Sequence, residues 1–130
     1  MAKVTKGSCN CGGVKWEVEG ELRDIIACHC GQCRKQTGSF YAATSAPDDK
    51  LTLTNAGTLK WYKSSGDAKR GFCGECGSAM FWKYGKSDST TILVGSVDGP
   101  TGLEIAEHIF TKDKPDWYQI TDGKPIREDW

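Results

Sequence analysis

The feature that most constrains this chain is the spacing of its seven cysteines. They form a C-x-C pair, a C-x-C-x2-C triplet and a C-x2-C pair: Cys9 and Cys11; Cys28, Cys30 and Cys33; and Cys73 and Cys76. Because seven is odd, a framework of disulfides alone would leave one thiol over. A closed structural zinc site takes four protein ligands, whereas a catalytic zinc site takes three and keeps one position open. The spacing therefore favours two zinc sites over disulfides.

The two outer pairs lie in glycine-rich turns that suit a structural zinc. Residues i and i+2 of an extended backbone face the same side, so Cys9 and Cys11 can offer both sulfurs to one ion. The other pair, Cys73 and Cys76, is followed by Gly77 and is similar to a zinc knuckle. An ion shared by both pairs would close a loop of more than sixty residues and stabilise the fold. The competing interpretation is four buried free thiols, since cysteine packs as a small apolar residue.

The triplet is left one ligand short, so we predict that Cys28, Cys30 and Cys33 hold a catalytic zinc with an open position. Two alternatives stay open on spacing alone. A histidine, His29 or His108, would make the triplet a second closed site. Another grouping places Cys28 and Cys30 with the C-x2-C pair and leaves Cys33 free.

Composition excludes several classes of partner. The 130 residues suit one domain, residues 1–130, with a core of its own. Lysine plus arginine equals aspartate plus glutamate, 17 each, so net charge gives no reason to expect nucleic acid. No apolar run approaches the ~20 residues that span a bilayer, and the N-terminus lacks a secretory signal. We therefore expect a cytoplasmic protein without a membrane partner. In the cytoplasm, cysteine clusters more often bind metal than form disulfides.

Short alternating segments between turn residues predict a mainly β protein. Strands are predicted at 14–19, 22–27, 40–46, 51–54, 59–63, 78–83 and 90–94. The segment 34–39 is predicted to be a short helical turn or a loop, because Gly38 ends it early. The pattern at 104–110 does not distinguish a strand from a helix.

Four stretches together resemble the glutathione-dependent formaldehyde-activating family. They are Gly7–Val14 (GSCNCGGV), Cys28–Ser39 (CHCGQCRKQTGS), Phe72–Ser78 (FCGECGS) and His108–Trp117 (HIFTKDKPDW). The resemblance implies an Mss4-like fold, in which several coiled antiparallel β-sheets surround zinc. It also implies a structural zinc on the two outer pairs and a catalytic zinc on the triplet, that is, on Cys9, Cys11, Cys73 and Cys76 and on Cys28, Cys30 and Cys33.

The activity that the resemblance implies is that of a carbon–sulfur lyase. Glutathione, or a similar thiol, would add to formaldehyde or another small aldehyde and give an S-hydroxymethyl adduct, and the reverse. Beside the triplet, Arg34 and Lys35 are candidates to bind a glutathione carboxylate, with a solvated surface role as the alternative. Thr37 and Ser39 are candidates to shape the substrate pocket.

Two other functions remain open from the sequence. The first is a non-catalytic binding module that zinc stabilises, because the Mss4-like fold also serves that purpose. The second is a methionine sulfoxide reductase, which can share the fold but needs a redox cysteine outside the metal site. All seven cysteines here fall into clusters, which disfavours the reductase.

Overall fold

A computed structural model describes residues 3–130, so the first two residues of the predicted domain lie outside the described part. One helix of seven residues, α1 (Gly31–Thr37), follows the third strand. The strands are β1 (Val4–Ser8), β2 (Lys15–Glu19), β3 (Ile25–Cys28), β4 (Tyr41–Pro47), β5 (Leu51–Asn55), β6 (Leu59–Ser65), β7 (Ala68–Cys73), β8 (Ala79–Tyr84), β9 (Ser89–Leu93) and β10 (Ile105–Ile109).

The strands form two sheets. A three-stranded antiparallel sheet has the order β1-β2-β5, and a seven-stranded sheet has the order β10-β3-β4-β9-β8-β7-β6. In the larger sheet β10 pairs with β3 in parallel, while the other neighbours are antiparallel. This order places β3, which leads into the cysteine triplet, between β10 and β4.

The core lies where β2 packs against the larger sheet. Trp16 and Val18 alternate with more exposed residues along β2, so the strand buries one face. Trp16 packs in a cluster with Met80, Phe81 and Ile92, and its indole donates a hydrogen bond to Ser96 Oγ at 3.1 Å. Gly7 lies against the Trp16 ring, where an added Cβ would approach to 2.1 Å. The tryptophan therefore requires glycine at that point of β1.

The prediction of a mainly β fold is confirmed, and each predicted strand corresponds to an observed one within three residues at either end. The undecided segment 104–110 contains β10, whose partner β3 lies nearly eighty residues earlier. The short helical turn predicted at 34–39 agrees with the second half of α1, which Gly38 ends, but the start of the helix was not predicted. The helix begins at Gly31, inside the triplet, because the Cys30 sulfur caps it by accepting a hydrogen bond from the Cys33 amide.

Between residues 3 and 130, none of the helices combines the length and the apolar character needed to cross a membrane.

Candidate metal centres and the adjoining cavity

The structure brings the two outer cysteine pairs together as a four-cysteine cluster: Cys9, Cys11, Cys73 and Cys76. The Cys11 sulfur lies 3.7 Å from that of Cys9 and 3.6 Å from that of Cys73. A tetrahedral zinc with Zn–S bonds of about 2.3 Å holds its sulfurs about 3.8 Å apart. The donor set and its spacing therefore fit a closed zinc site.

Backbone amides and hydroxyls surround the sulfurs of the four-cysteine cluster. The Cys73 sulfur accepts hydrogen bonds from the amides of Glu75 and Cys76 at 3.4 Å and contacts the Thr58 hydroxyl at 3.1 Å. The Cys76 sulfur contacts Ser78 Oγ at 3.2 Å. The Thr58 hydroxyl and these amides lower the pKa of Cys73, and Ser78 lowers that of Cys76 to about 5. The cluster is thus arranged to hold thiolates, which are the form that binds metal.

The triplet forms a three-cysteine cluster: Cys28, Cys30 and Cys33, with sulfurs within 4.8 Å of one another. Cys28 ends β3, Cys30 caps α1, and Cys33 lies in the first turn of the helix. The sulfurs of Cys30 and Cys33 are 2.9 Å apart, so their separation would have to increase by about 1 Å for both to bind one zinc ion. Three soft thiolate ligands suit zinc, and the set leaves one tetrahedral position for a further ligand.

The three thiols differ in acidity. Hydrogen bonds from Cys28 and Cys33 lower the pKa of Cys30 to about 2. The same bonding raises the pKa of Cys28, because its own proton is held between the neighbouring sulfurs.

A buried arginine from β7 lies against the three-cysteine cluster. Arg70 is 5% exposed and donates to the Cys33 sulfur at 3.6 Å. It also donates to Gln36 Oε1 at 3.3 Å and to Gln32 Oε1 at 3.2 Å, and its guanidinium lies over the Tyr41 ring at 4.8 Å. None of these partners is a carboxylate. A buried cation needs a compensating anion, and the thiolates of the cluster are the anions within its reach.

Neither histidine belongs to the three-cysteine cluster. His29 lies on the opposite side of the chain from its neighbouring cysteines and is fully buried between Phe40 and Tyr118. Its Nε2 is 2.8 Å from His108 Nδ1, and His108 Nε2 is 2.8 Å from an Asp122 carboxylate oxygen. The two imidazoles thus pair with each other. These hydrogen bonds connect the segment around His29 to Asp122 in the C-terminal part of the chain.

The three-cysteine cluster opens onto a cavity of about 290 Å³. Arginines and mostly apolar side chains line the rest of it: Arg23, Ile26, Gln32, Tyr41, Ala43, Ser65, Arg70, Trp82, Thr91, Ile109, Phe110 and Trp130. We call this space the cysteine cavity. A substrate sulfur could reach the open position of the cluster from it.

Of the four residues that the sequence suggests for substrate binding, none lines the cysteine cavity. Thr37 Oγ1 donates to the Cys33 carbonyl at 2.7 Å and accepts from the Ser39 amide at 3.1 Å, so both residues help to end α1. Arg34 lies within α1. Lys35 borders a neighbouring groove that shares Gln32 and Arg70 with the cavity. Their roles in binding remain predictions.

The sequence analysis missed Arg70 and Phe110. The one available signal for Arg70 is its place in a strand, three residues before the C-x2-C pair, with an apolar residue two positions on. Such a position faces the same side as Phe72. Phe110 stands in the resembling stretch His108–Trp117, but no periodicity there indicates a cavity wall.

The comparisons with known proteins agree with this geometry. The family described as "Glutathione-dependent formaldehyde-activating enzyme" matches residues 4–113. An uncharacterized lyase of Schizosaccharomyces pombe is 26% identical over 116 residues, which cover 88% of this chain and 84% of the relative. A crystal structure of a Rhodobacter sphaeroides protein is 29% identical, with a TM-score of 0.61, and the match covers 75% of this chain and 91% of that one. The chain belongs to the glutathione-dependent formaldehyde-activating enzyme family.

Proposed function

We propose that the protein is a zinc-dependent carbon–sulfur lyase that joins glutathione, or a similar thiol, to formaldehyde or another small aldehyde, and catalyses the reverse. One observation carries this proposal. Four cysteines form a set of their own, while the remaining three meet at a cavity and would leave a tetrahedral zinc one ligand short. The family match and the name of the S. pombe relative support the same class of reaction.

Cys28, Cys30 and Cys33 would hold the catalytic zinc, and Cys9, Cys11, Cys73 and Cys76 the structural one. When bound, zinc at the three-cysteine cluster would lower the pKa of a coordinated substrate thiol and so supply a thiolate near neutral pH.

In the reaction the substrate sulfur attacks the carbonyl carbon and a carbon–sulfur bond forms. The carbonyl oxygen takes up the proton that the thiol released and becomes a hydroxyl, so no oxidant or reductant is needed. The reverse step breaks the same carbon–sulfur bond and returns the aldehyde.

Residues of this chain would assist in three ways. Arg70 offsets negative charge at the cluster through its bond to Cys33. The apolar walls of the cysteine cavity exclude water, which strengthens electrostatic interactions inside it. Arg34 and Lys35 are proposed to bind a carboxylate of the thiol beside α1, and Thr37 and Ser39 to shape that end of the site.

The first experiment asks whether a substrate thiol becomes a metal ligand. We expect about two zinc ions per chain, and X-ray absorption at the zinc edge should show the mean number of sulfur neighbours rising from about 3.5 to about 4 when glutathione is added. S-methylglutathione, which has no free thiol, is the matched control ligand. A variant carrying Cys28→Ser, Cys30→Ser and Cys33→Ser should keep one zinc and show no rise.

The second experiment asks whether the protein turns substrate over. Exchange between free formaldehyde and S-hydroxymethylglutathione should become faster in exchange NMR when the protein is added, and should not do so with the triple serine variant. If glutathione adds no sulfur ligand and exchange is not accelerated, the enzyme proposal fails. The zinc-stabilised binding module would then be the better explanation.

A further inference from the structure

The cysteine cavity is much larger than formaldehyde. Its volume of about 290 Å³ would hold about ten water molecules at liquid density, whereas formaldehyde has two heavy atoms. Six of the fifteen lining residues carry large apolar or aromatic side chains: Ile26, Tyr41, Trp82, Ile109, Phe110 and Trp130. Ligand sites with such walls gain affinity from the apolar area that they bury.

The charges around the cavity offer no partner to the ammonium group of glutathione, whose peptide part also carries two carboxylates. Among residues 3–130, no acidic side chain lines the cavity, and its two arginines each bond neighbouring protein groups, although the buried Nε of Arg70 has no partner. Arg23 donates to Ser45 Oγ at 3.1 Å and to the carbonyls of Asp24 and Ala43 at 2.9 and 3.1 Å. Arg70 is held by the two glutamines and Cys33. The apolar side chains of the wall therefore suit an apolar group better than the ammonium end of the peptide.

The backbone at one wall is strained. Phe110 has φ 54° and ψ 38°, and it is the one residue other than glycine with positive φ within residues 3–130. A bulky side chain seldom adopts this conformation. Here the Phe110 amide donates to the Asp129 carbonyl at 2.7 Å, and the Asp113 amide donates to the Phe110 carbonyl at 3.1 Å. Strained residues cluster at functional sites, and this strain holds an aromatic ring at the cavity.

We infer that the cysteine cavity binds the carbon side of the adduct and selects an aldehyde with a branched or aromatic group, with Phe110 as a specificity-determining residue. This inference rests on the proposed function. The thiol sulfur bonds to the aldehyde carbon, the thiol proton ends on the carbonyl oxygen, and the product is S-(1-hydroxyalkyl)glutathione. The apolar group lies against Phe110 and Trp82, while the peptide part extends toward α1.

The test in solution compares aldehydes of increasing size with glutathione as the thiol. Protein-catalysed exchange, measured by exchange NMR and corrected for the spontaneous reaction, should be at least about tenfold more efficient for phenylacetaldehyde than for formaldehyde, with isobutyraldehyde between them. Phe110→Asn keeps a residue that tolerates positive φ and removes the ring, so this preference should fall by about tenfold or more. Trp61→Ala removes a partly exposed tryptophan outside the cavity and should leave the preference unchanged.

A binding measurement separates the inference from the enzyme proposal. S-benzylglutathione and S-methylglutathione differ only in the apolar group on sulfur, and neither can react. By calorimetry we expect the benzyl compound to bind at least about tenfold more tightly, and Phe110→Asn to remove most of the difference. Zinc content and the circular dichroism spectrum identify any variant that misfolds.

The outcomes can be told apart. Faster exchange with formaldehyde than with phenylacetaldehyde, together with equal binding of the two thioethers, would overturn the inference and leave the proposed function standing. A benzyl preference that depends on Phe110, without catalysed exchange of any aldehyde, would support the cavity assignment and refute the lyase. A benzyl preference that persists in Phe110→Asn would remove Phe110 from the specificity role.

Discussion

The two cysteine clusters differ in what surrounds their sulfur atoms. In the four-cysteine cluster, backbone amides and the hydroxyls of Thr58 and Ser78 contact the sulfurs. The three-cysteine cluster has one amide contact, from Cys33 to the Cys30 sulfur, and one buried guanidinium, that of Arg70. The first arrangement uses local neutral donors, whereas the second brings a full charge from a distant strand.

The clusters also differ in their ligand positions along the chain. Cys11 and Cys73 are 62 positions apart, so an ion in the four-cysteine cluster would tie two remote turns together. The three-cysteine cluster lies within six positions and closes no long loop. These differences support the proposed division of roles, with stability assigned to the first cluster and chemistry to the second.

The largest predicted difference is in folding. Cys73→Ser should lose the structural zinc and destabilise the protein by at least about 5 kcal/mol, enough to unfold a typical domain. The matched change in the other cluster, Cys28→Ser, should lose one zinc while the fold persists. Urea unfolding followed by circular dichroism measures the stability of both variants, and zinc analysis measures how many ions each one keeps. Equal destabilisation by the two changes would contradict the division of roles.

The next effect concerns the buried charge. Arg70→Met should weaken zinc binding at the three-cysteine cluster by about 10- to 100-fold, because the thiolates lose a compensating cation. Arg70→Lys should recover part of this loss. Chelator competition measures the zinc affinity of both clusters, and the four-cysteine cluster of the same molecule is the internal control. Equal weakening of both sites would indicate general unfolding instead of loss of the charge.

A smaller effect should appear as acid sensitivity. Burial, helped by the charges of His108 and Lys114, lowers the pKa of His29 to about 4. The unfolded chain, with an ordinary pKa of about 6.5, then binds a proton first, so this stability is present above pH 6.5 and is lost as pH falls toward 4. The loss between pH 7 and pH 5 should be about 2 kcal/mol.

The variant His29→Gln keeps a side chain that can bond His108 and removes this titration. Zinc content is measured for both proteins at each pH, and the difference between their urea-unfolding free energies at equal zinc content isolates His29. A parallel pH dependence in the two proteins would refute the prediction.

The smallest predicted effect on stability concerns Ser78, which follows the C-x2-C pair. Ser78→Ala removes a hydroxyl that contacts the Cys76 sulfur and accepts from the Asn10 amide at 3.1 Å. We expect a loss of about 1 kcal/mol in stability, typical of one hydrogen bond, without any change in zinc binding at the three-cysteine cluster. Chemical unfolding measures the change in stability, and chelator competition measures zinc binding at the three-cysteine cluster. Weaker binding at the three-cysteine cluster would show that the two clusters are coupled.

Much of the architecture could be predicted because it depends on local patterns. Alternation along 14–19 reappears as β2 with Trp16 and Val18 buried, and turn residues mark most strand ends correctly. The start of helix α1 could not be predicted, since its N-cap is a cysteine, a residue that is not a usual helix cap. The strand β10 was undecided for a related reason, because only its pairing with β3 selects extended backbone.

The sequence by itself determined the three local cysteine motifs, because ligands at short fixed spacing need only a turn to converge. That the two outer pairs meet each other, and not the triplet, was decided by the tertiary structure. The sequence also indicated the family, because four stretches of it resemble that family in the same order along the chain. The tertiary structure alone decided what lies around the three-cysteine cluster. Arg70 reaches it from β7, and the adjoining cavity is lined by Trp82 from β8 and by Phe110, which follows β10. This arrangement depends on the packing of the sheets, so spacing along the sequence could not reveal it.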